Sequence, residues 1–291
     1  MLSFEEQFDR LVKAALQEDI GDGDHSTLSC ISPGARGRAV LKIKQDGVLA
    51  GMDVAERILR IVEPSALFTP FKKDGDSMQA GEKAFQADAT ISTILQCERV
   101  ILNCMQRMSG IATLTRRYVD KLQGYRTRVL DTRKTTPNFR LLEKEAVRIG
   151  GGANHRFGLY DMIMLKDNHI DYCGGLEIAI EKAGQYRIEK RPDLKIEVET
   201  RSLEEVRRVM AIGRAEGAPP PVDRIMLDNF SPWQITEALA IIGGSYETEA
   251  SGGIDLGNIE EYARTGVDYV SAGALIHQAQ SLDLSLKATI T

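Results

Sequence analysis

The pattern of hydrophobic and polar positions in the first part of the chain predicts a mixture of helices and strands. Apolar residues recur at helical spacing over roughly residues 4–17, and they alternate as in a strand over residues 39–44. Asp53 is expected to cap a short helix, and the Asp-Gly pair at 74–75 is typical of a hairpin between two short strands. This region therefore predicts an α+β fold without an evident catalytic cluster.

A long helical stretch follows over about residues 91–123. The pair Ser109-Gly110 lies inside it, and we expect the helix to break there. Arg99 falls off the apolar stripe of this stretch. Taken alone, Arg99 is interpreted as a solvated helix residue.

After Gly124 the pattern changes to short β-type runs that alternate with helical segments. Such alternation is typical of parallel strands joined by crossover helices, and six units in about 150 residues favour a closed, somewhat undersized α/β barrel over an open sheet. The β-type runs lie at residues 129–130, 162–165, 196–199, 225–227, 246–249 and 269–271.

These patterns predict two domains in an α/β protein. An N-terminal α+β sandwich domain is expected over residues 1–110, and an α/β barrel that carries the active site over residues 111–279. The tail at 280–291 alternates apolar and polar residues, so we expect it to return as a strand to the first domain.

Composition and charge narrow the class of protein. The chain is 43% hydrophobic and 27% charged, which is ordinary for a soluble globular protein with a large core. No apolar run approaches the ~18 residues of a membrane span, and the acidic N-terminus lacks the basic and apolar regions of a signal peptide. The four cysteines form no CxxC pair, so we interpret them as small buried hydrophobes in a reducing cytoplasm. The net charge of −5 argues against nucleic-acid binding.

One segment, from Asp131 to His169, departs from the acidic balance of the chain. It carries seven Lys or Arg against five Asp or Glu, a net charge of +2. A positive segment in an acidic protein indicates a local anionic ligand.

Candidate site residues follow the predicted strands, where ligands bind in α/β barrels. The lysine and arginine residues of the segment from Asp131 to His169 suit a substrate with several negative charges, because arginine binds carboxylates through two parallel hydrogen bonds. Glu199 and Asp228, on different strands, suit ribose hydroxyls or Mg²⁺. Small-residue loops at 251–253 and 271–274 precede helices and suit phosphate.

Each of these features also has a plain structural interpretation. Most single charges are solvated, and Ser-Gly-Gly is a common turn. Glu197 and Glu199 share a strand face, so one of them could be structural, while His169 could bond only its loop and His277 could be a surface or core residue. The residues alone therefore indicate a site for an anion and a phosphosugar, without a defined reaction.

Taken together and in order, the motifs resemble those of quinolinate phosphoribosyltransferase, the decarboxylating family of NAD synthesis. The likeness runs over almost the whole chain. The motifs are ER at 98–99, LN at 102–103, SGIA at 109–112, DTRKTTP at 131–137, GGANHR at 151–156, LKDNH at 165–169, EVE at 197–199, LDNF at 227–230 and EASGGI at 249–254.

The resemblance implies a fold and an assembly. The family combines a small N-terminal α+β sandwich domain with an incomplete α/β barrel, in a homodimer or a higher multiple of dimers whose active sites are shared across the interface. It implies that quinolinate is surrounded by Arg133, Lys134, His155, Arg156 and Lys166, with Arg99 reaching in from the partner subunit.

The resemblance also implies the second substrate and the reaction. Glu199 and Asp228 would hold the ribose and Mg²⁺ of phosphoribosyl pyrophosphate, either directly or through its pyrophosphate. Ser251, Gly252, Gly253 and Gly273 would bind its 5-phosphate. The products would be nicotinate mononucleotide, pyrophosphate and CO₂, with Lys134, Lys166, Glu199 and Asp228 in catalytic roles.

Two other functions remain open from the sequence. A related type II phosphoribosyltransferase could use nicotinate or another aromatic acid, although a dicarboxylate accounts better for so many basic groups. A non-catalytic phosphometabolite-binding paralogue could share the fold, and the intact acid pair argues against it.

Overall fold

The computed structural model describes residues 3–212 and 221–289. They group into two compact units. The first combines the chain up to residue 116 with residues 134–151 and the chain from residue 275 onward, and the second comprises residues 117–133 and 152–274. The domain boundary expected between residues 110 and 111 stays a prediction.

Helices and strands occur along the whole described chain. Up to residue 121 they are α1 (Phe4–Ile20), α2 (His25–Cys30), β1 (Arg36–Ile43), β2 (Gly47–Val48), α3 (Met52–Val62), β3 (Leu67–Pro70), β4 (Ser77–Met78), β5 (Lys83–Thr90) and α4 (Ile91–Lys121). After it come β6 (Arg128–Leu130), α5 (Arg140–Ile149), β7 (Ile163–Leu165), α6 (Asp167–Cys173), α7 (Leu176–Lys190), β8 (Ile196–Thr200), α8 (Leu203–Ala211), β9 (Arg224–Asp228), α9 (Pro232–Ile242), β10 (Glu247–Ser251), α10 (Ile259–Arg264), β11 (Tyr269–Ser271), α11 (Ala274–His277) and β12 (Leu284–Thr289).

The first unit contains an antiparallel sheet in the order β12-β1-β5-β3. The alternating residues 39–44 supply its central strand β1, in which Leu41 lies opposite Phe85 on one side and Leu286 on the other. All three side chains are buried, so the sheet buries one apolar face. The pairing of β1 with β12 returns the end of the described chain to this sheet.

Two local predictions in the first unit are wrong. The helix α3 begins at Met52 after Gly51, whose φ is +103°, so Asp53 lies in the first turn and does not cap it. The Met52 amide instead donates to Asp74 Oδ1 at 2.9 Å. Around residues 74–75 no hairpin forms, because β3 pairs with β5 and β4 pairs with β2.

The helix α4 runs unbroken from Ile91 to Lys121, so the expected break near Ser109-Gly110 is also wrong. Gly110 lies against the chain at Gln280, whose carbonyl oxygen would be 2.0 Å from an added Cβ. The Ser109 hydroxyl, fully buried, accepts the Ala50 amide proton and donates to the Ala50 carbonyl at 3.0 and 3.2 Å. This pair therefore permits close packing and leaves the helix intact.

The second unit is built on six parallel strands in the order β6-β11-β10-β9-β8-β7. This sheet is open, with β6 and β7 at its edges, so the closed barrel that the strand count favoured is wrong, and the incomplete barrel is confirmed. Ala153 pairs with the outer edge of β6 through an isolated parallel bridge to Leu130. Two backbone hydrogen bonds form it, from Asp131 to Ala153 and from Ala153 to Val129.

Alternation along these strands separates an apolar face from a polar one. Ile196, Val198, Ile225, Leu227 and Ala250 are buried on the face that the helices cover. The alternate positions carry charged side chains instead, among them Glu197, Glu199, Arg224 and Glu249. Over the described residues, no helix combines the length and the apolar character that crossing a membrane requires.

The close approach at Gly110 gives a testable prediction. Gly110→Ala places a methyl group against the Gln280 carbonyl, so we expect the free energy of unfolding to fall by about 3 kcal/mol, as for an overpacked core. Urea unfolding measures the change. Gly184→Ala is the matched control, because Gly184 also lies inside a helix but has no heavy atom within 4 Å of the added Cβ. Equal stability of the two variants would contradict the packing argument.

Candidate active site

The register of the parallel strands brings several predicted site residues to one end of the second unit. Ser251 lies opposite Asp228 on one side and Ser271 on the other. Leu165 lies opposite Val198, which places Lys166 beside Glu199 one step further along. These side chains therefore share the carboxyl ends of the strands, where α/β enzymes bind ligands.

Lys166 and Glu199 form a close ion pair. The Lys166 Nζ lies 2.6 Å from Glu199 Oε2, with the lysine side chain 45% exposed and the glutamate 8% exposed. Solvent therefore screens the lysine end of the pair, whereas the carboxylate is buried. The sequence assigned these residues to different ligands, and the structure places them in contact, so an anion bound by Lys166 would compete with Glu199.

Asp228 lies beside a turn that requires glycine. Asp228 Oδ2 accepts a hydrogen bond from the side-chain amide of Asn229 at 2.7 Å, and the backbone amide of Asn229 donates to the Ser251 carbonyl. Gly252 and Gly253 have φ of +96° and +64°, and a Cβ on Gly252 would lie 2.2 Å from Asn229 Oδ1. Only glycine at 252 lets the two strand ends approach this closely.

Gly273 lies in a different turn of the second unit. It is half-buried and directly precedes α11, after the buried Ser271 at the end of β11. The expected phosphate-binding positions 251–253 and 273 thus follow two neighbouring strands of the sheet.

A cluster of buried charges lies on the polar face of the same sheet. His155 Nε2 is 2.9 Å from Glu197 Oε2 and 3.4 Å from Glu249 Oε2, and both carboxylates are fully buried. Arg224 donates to Glu249 at 2.9 Å, pairs with Glu247 at 3.1 Å and stacks over the Tyr269 ring at 4.2 Å. We refer to His155, Glu197, Glu249 and Arg224 as the buried ion cluster.

The protonation of the buried ion cluster follows from burial and from its neighbours. Burial, with the charge of Glu249, raises the pKa of Glu197 to about 7. Burial acts against a charged imidazole, but the hydrogen bonds to Glu197 and Glu249 outweigh it and raise the pKa of His155 to about 9. For Glu249, burial opposes ionisation, and the bond from His155 lowers the pKa of the carboxyl overall. The two carboxylates therefore favour a proton on His155 Nε2, the ring nitrogen that faces them.

The other ring nitrogen of His155 also has a partner. Its Nδ1 accepts the amide proton of Arg156 at 2.7 Å, and Asp131 Oδ1 accepts the amide proton of His155 at 2.8 Å. Both ring nitrogens thus meet groups of the chain itself. His155 holds the backbone of Arg156 in place through these bonds.

Three side chains of this cluster are of types that bind metal ions, with ligand atoms of His155, Glu197 and Glu249 within 4.8 Å of one another. The guanidinium of Arg224 already lies 2.9 Å from a Glu249 oxygen. Arg224 therefore already balances the charge of Glu249, and the geometry fits a cluster of ion pairs better than a metal site.

Arg133 and Arg156 lie close enough to repel each other. Burial, followed by the positive charge of Arg133, lowers the pKa of the Arg156 guanidinium. Arg156 is buried and donates to the Met162 carbonyl at 3.3 Å. Two like charges held together favour an anion beside them, and the part of Arg133 and Arg156 in a site stays a prediction.

Arg99 and Lys134 belong to the first unit. Arg99 is exposed on α4, and Lys134 is exposed in the loop before α5. Their parts in a site stay predictions.

Sequence reasoning missed Arg224 and Glu249 as a cluster with His155. It considered Glu197 only as a residue that could be structural. The available signal was the alternation of charged and apolar residues along β8, β9 and β10, which predicts charges on the inner face of the sheet.

Comparisons with known proteins cover nearly the whole chain. Models of the family described as quinolinate phosphoribosyl transferase match twice, the N-terminal domain at residues 24–109 and the C-terminal domain at residues 111–287. The chain is 41% identical over 287 residues to the chloroplastic nicotinate-nucleotide pyrophosphorylase (carboxylating) of Arabidopsis thaliana, covering 95% of this chain and 81% of that protein.

Two bacterial proteins show the same likeness. The probable nicotinate-nucleotide pyrophosphorylase (carboxylating) of Bacillus subtilis is 39% identical over 285 residues, which cover 98% of this chain and 94% of that protein. The crystal structure of NadC from Streptococcus pyogenes is 42% identical and superposes with a TM-score of 0.89, covering 99% of this chain and 98% of that one.

The buried ion cluster gives a prediction about stability. His155→Ala leaves Glu197 and Glu249 with Arg224 as their counter-charge, so we expect the free energy of unfolding to fall by about 3–5 kcal/mol. Urea unfolding measures it. His25→Ala is the control, because His25 pairs with Asp22 at 3.5 Å but its side chain is 76% exposed, so stability should hardly change. Similar losses in both variants would show that burial of the cluster is not what makes His155 important.

Proposed function

The chain belongs to the quinolinate phosphoribosyltransferase family, and from that premise we propose that it transfers the phosphoribosyl group of phosphoribosyl pyrophosphate to quinolinate, with decarboxylation. The products are nicotinate mononucleotide, pyrophosphate and CO₂, a step of NAD biosynthesis. The observation that carries this proposal is one end of the parallel sheet, where Lys166 meets Glu199 beside Asp228 and the Gly252 turn.

Quinolinate takes the cations. Its two carboxylates suit the closely spaced Arg133 and Arg156, because a dianion between the two guanidinium groups offsets their mutual repulsion. Lys166 adds a point charge, with Lys134 and, from the partner subunit, Arg99 as further ligands. The direct contact of His155 with quinolinate stays a prediction, and its bond to the Arg156 amide supports a second part, that of fixing Arg156.

Phosphoribosyl pyrophosphate takes the acids and the small-residue turns. Glu199 and Asp228 hold its ribose and Mg²⁺, directly or through the pyrophosphate, because hard cations prefer carboxylate oxygens. Backbone amides at Ser251, Gly252, Gly253 and Gly273 receive its 5-phosphate.

The chemistry follows from the charges that develop. The pyridine nitrogen attacks the anomeric carbon as pyrophosphate leaves, and Glu199 and Asp228 stabilise the positive charge that grows on the sugar. Mg²⁺, held by Glu199 and Asp228 or by the pyrophosphate, would neutralise negative charge on the leaving group. Once alkylated, the ring nitrogen is positive and stabilises the carbanion that remains at carbon 2 when CO₂ departs. Lys134 and Lys166 orient the carboxylates during both steps, and no general base is needed.

The assembly and the location complete the proposal. Two copies of the chain form a dimer in which Arg99 of each serves the site of the other. The enzyme works in the cytoplasm with these small-molecule substrates, and the net charge of −5 speaks against a nucleic-acid partner.

The function is tested by release of CO₂ from carboxyl-labelled quinolinate, with and without phosphoribosyl pyrophosphate. Lys134→Ala should lower turnover by about two orders of magnitude or more, since it removes a substrate-orienting charge, and the thermal midpoint should stay nearly constant because Lys134 is exposed. Nicotinate in place of quinolinate should give no mononucleotide and no pyrophosphate, and these products are measured directly because nicotinate has no 2-carboxyl group to lose as CO₂. Faster turnover of nicotinate, or near-normal activity of Lys134→Ala, would contradict the proposal.

The shared site is tested by mixing two inactive variants, Arg99→Ala and Lys134→Ala, unfolding them together and letting dimers re-form. If Arg99 acts in the neighbour's site, each mixed dimer has one doubly defective and one intact site, so about a quarter of full activity should return. If Arg99 acts in its own chain, every site keeps a defect. A folded, dimeric and inactive mixture would end the trans assignment.

A further inference from the structure

A fully buried carboxylate holds the loop that follows Lys134. Glu143, on α5, accepts the backbone amide proton of Thr136 at 2.8 Å and the Thr136 hydroxyl at 3.0 Å. The loop residue Thr135 also accepts a bond from Arg140 at 2.9 Å. One residue, Thr135, separates the held amide from Lys134, so the loop is fixed next to the lysine.

The same carboxylate is held from a second direction. Arg107, on α4, donates to Glu143 Oε1 from Nε at 3.0 Å and from Nη2 at 2.9 Å. Its remaining donors reach the carbonyls of Ile276 and Ala279, both at 2.8 Å. Arg107 thereby joins the helix that carries Arg99 to the helix that holds the Lys134 loop.

The ion pair alone leaves one buried carboxylate oxygen without a donor, because both contacts from Arg107 reach Oε1. Glu143 uses both of its oxygens on Thr136 as well, and one of those bonds fixes the backbone. Because the Thr136 backbone is held, the flexible side chain of Lys134 starts from a fixed position.

We propose that Glu143, braced by Arg107, is a positioning residue for quinolinate, which acts by holding Thr136 and so setting the place of Lys134. The inference rests on the proposed function, in which Lys134 binds a quinolinate carboxylate. Glu143 does not touch substrate. Its loss therefore weakens the use of quinolinate far more than the use of phosphoribosyl pyrophosphate.

The main test is steady-state kinetics, with each substrate varied at saturation of the other. Glu143→Gln keeps the size of the side chain but removes its charge. It should raise the KM for quinolinate by about tenfold and change the KM for phosphoribosyl pyrophosphate by less than about twofold. Similar changes in both constants, or in neither, overturn the proposal.

A second variant guards against loss of folding, since Glu143 is buried. Thr136 is exposed, and Thr136→Val removes only the hydroxyl bond while the amide bond remains. It should raise the quinolinate KM by about threefold at an unchanged thermal midpoint, and Thr136→Ser should restore it. An unchanged KM in Thr136→Val overturns the proposal.

The control is an ion pair of the same design elsewhere. Asp223 accepts hydrogen bonds from the Arg187 guanidinium at 2.8 Å and from the Ile196 backbone amide at 2.7 Å. It lies at the amino ends of β8 and β9. Asp223→Asn should lower the thermal midpoint without a preferential change in the quinolinate KM. If it shifts that KM as Glu143→Gln does, the effect is general destabilisation and the positioning role is overturned.

The wild type separates this inference from the function on which it rests. A wild-type chain that releases no CO₂ from quinolinate overturns both. An active wild type whose Glu143 and Thr136 variants show no selective quinolinate defect overturns only the positioning role.

Discussion

Charge buried between parallel strands is the constraint on which the second unit depends. An isolated buried carboxylate costs several kcal/mol, so Glu197 and Glu249 are compatible with the fold only because His155 and Arg224 lie within ion-pair distance. His155 reaches them because Ala153 bridges the open edge of β6. The open sheet and the buried ion cluster are therefore one structural solution, since closure of the edge by another strand would leave no place for this segment.

The contrast between buried and half-exposed pairs separates support from binding. The buried ion cluster pairs Glu197 and Glu249 with His155 and Arg224, and it holds the Arg156 backbone through His155. The Lys166–Glu199 pair lies at the strand ends with the lysine 45% exposed. The lysine of this pair is open to solvent and to an anionic ligand, while Glu199 is buried. The strand ends, where ligands must exchange at each turnover, therefore carry a solvent-accessible lysine, and the buried ion cluster supports them from the interior of the sheet.

Some residues support the packing of the chain, and the sequence alone could not distinguish this role from ligand binding or from a break in a helix. Gly110 suggested a helix end by its low helix propensity, yet it lies inside α4 because the chain at Gln280 passes too close for a side chain. Glu143 received no role from the sequence, although it is fully buried and holds the Lys134 loop. Both assignments depend on contacts between segments far apart in the chain.

The sequence by itself determined the α/β class, the order of strands and helices after Gly124, and the residues at the strand ends. It could do so because periodicity is local and because parallel strands place their carboxyl ends together. Only the tertiary structure decided that the sheet stays open, that Glu197 and Glu249 share His155, and that Glu199 meets Lys166. Register, burial and the partner of each charge are properties of pairs of distant residues, and a linear pattern does not contain them.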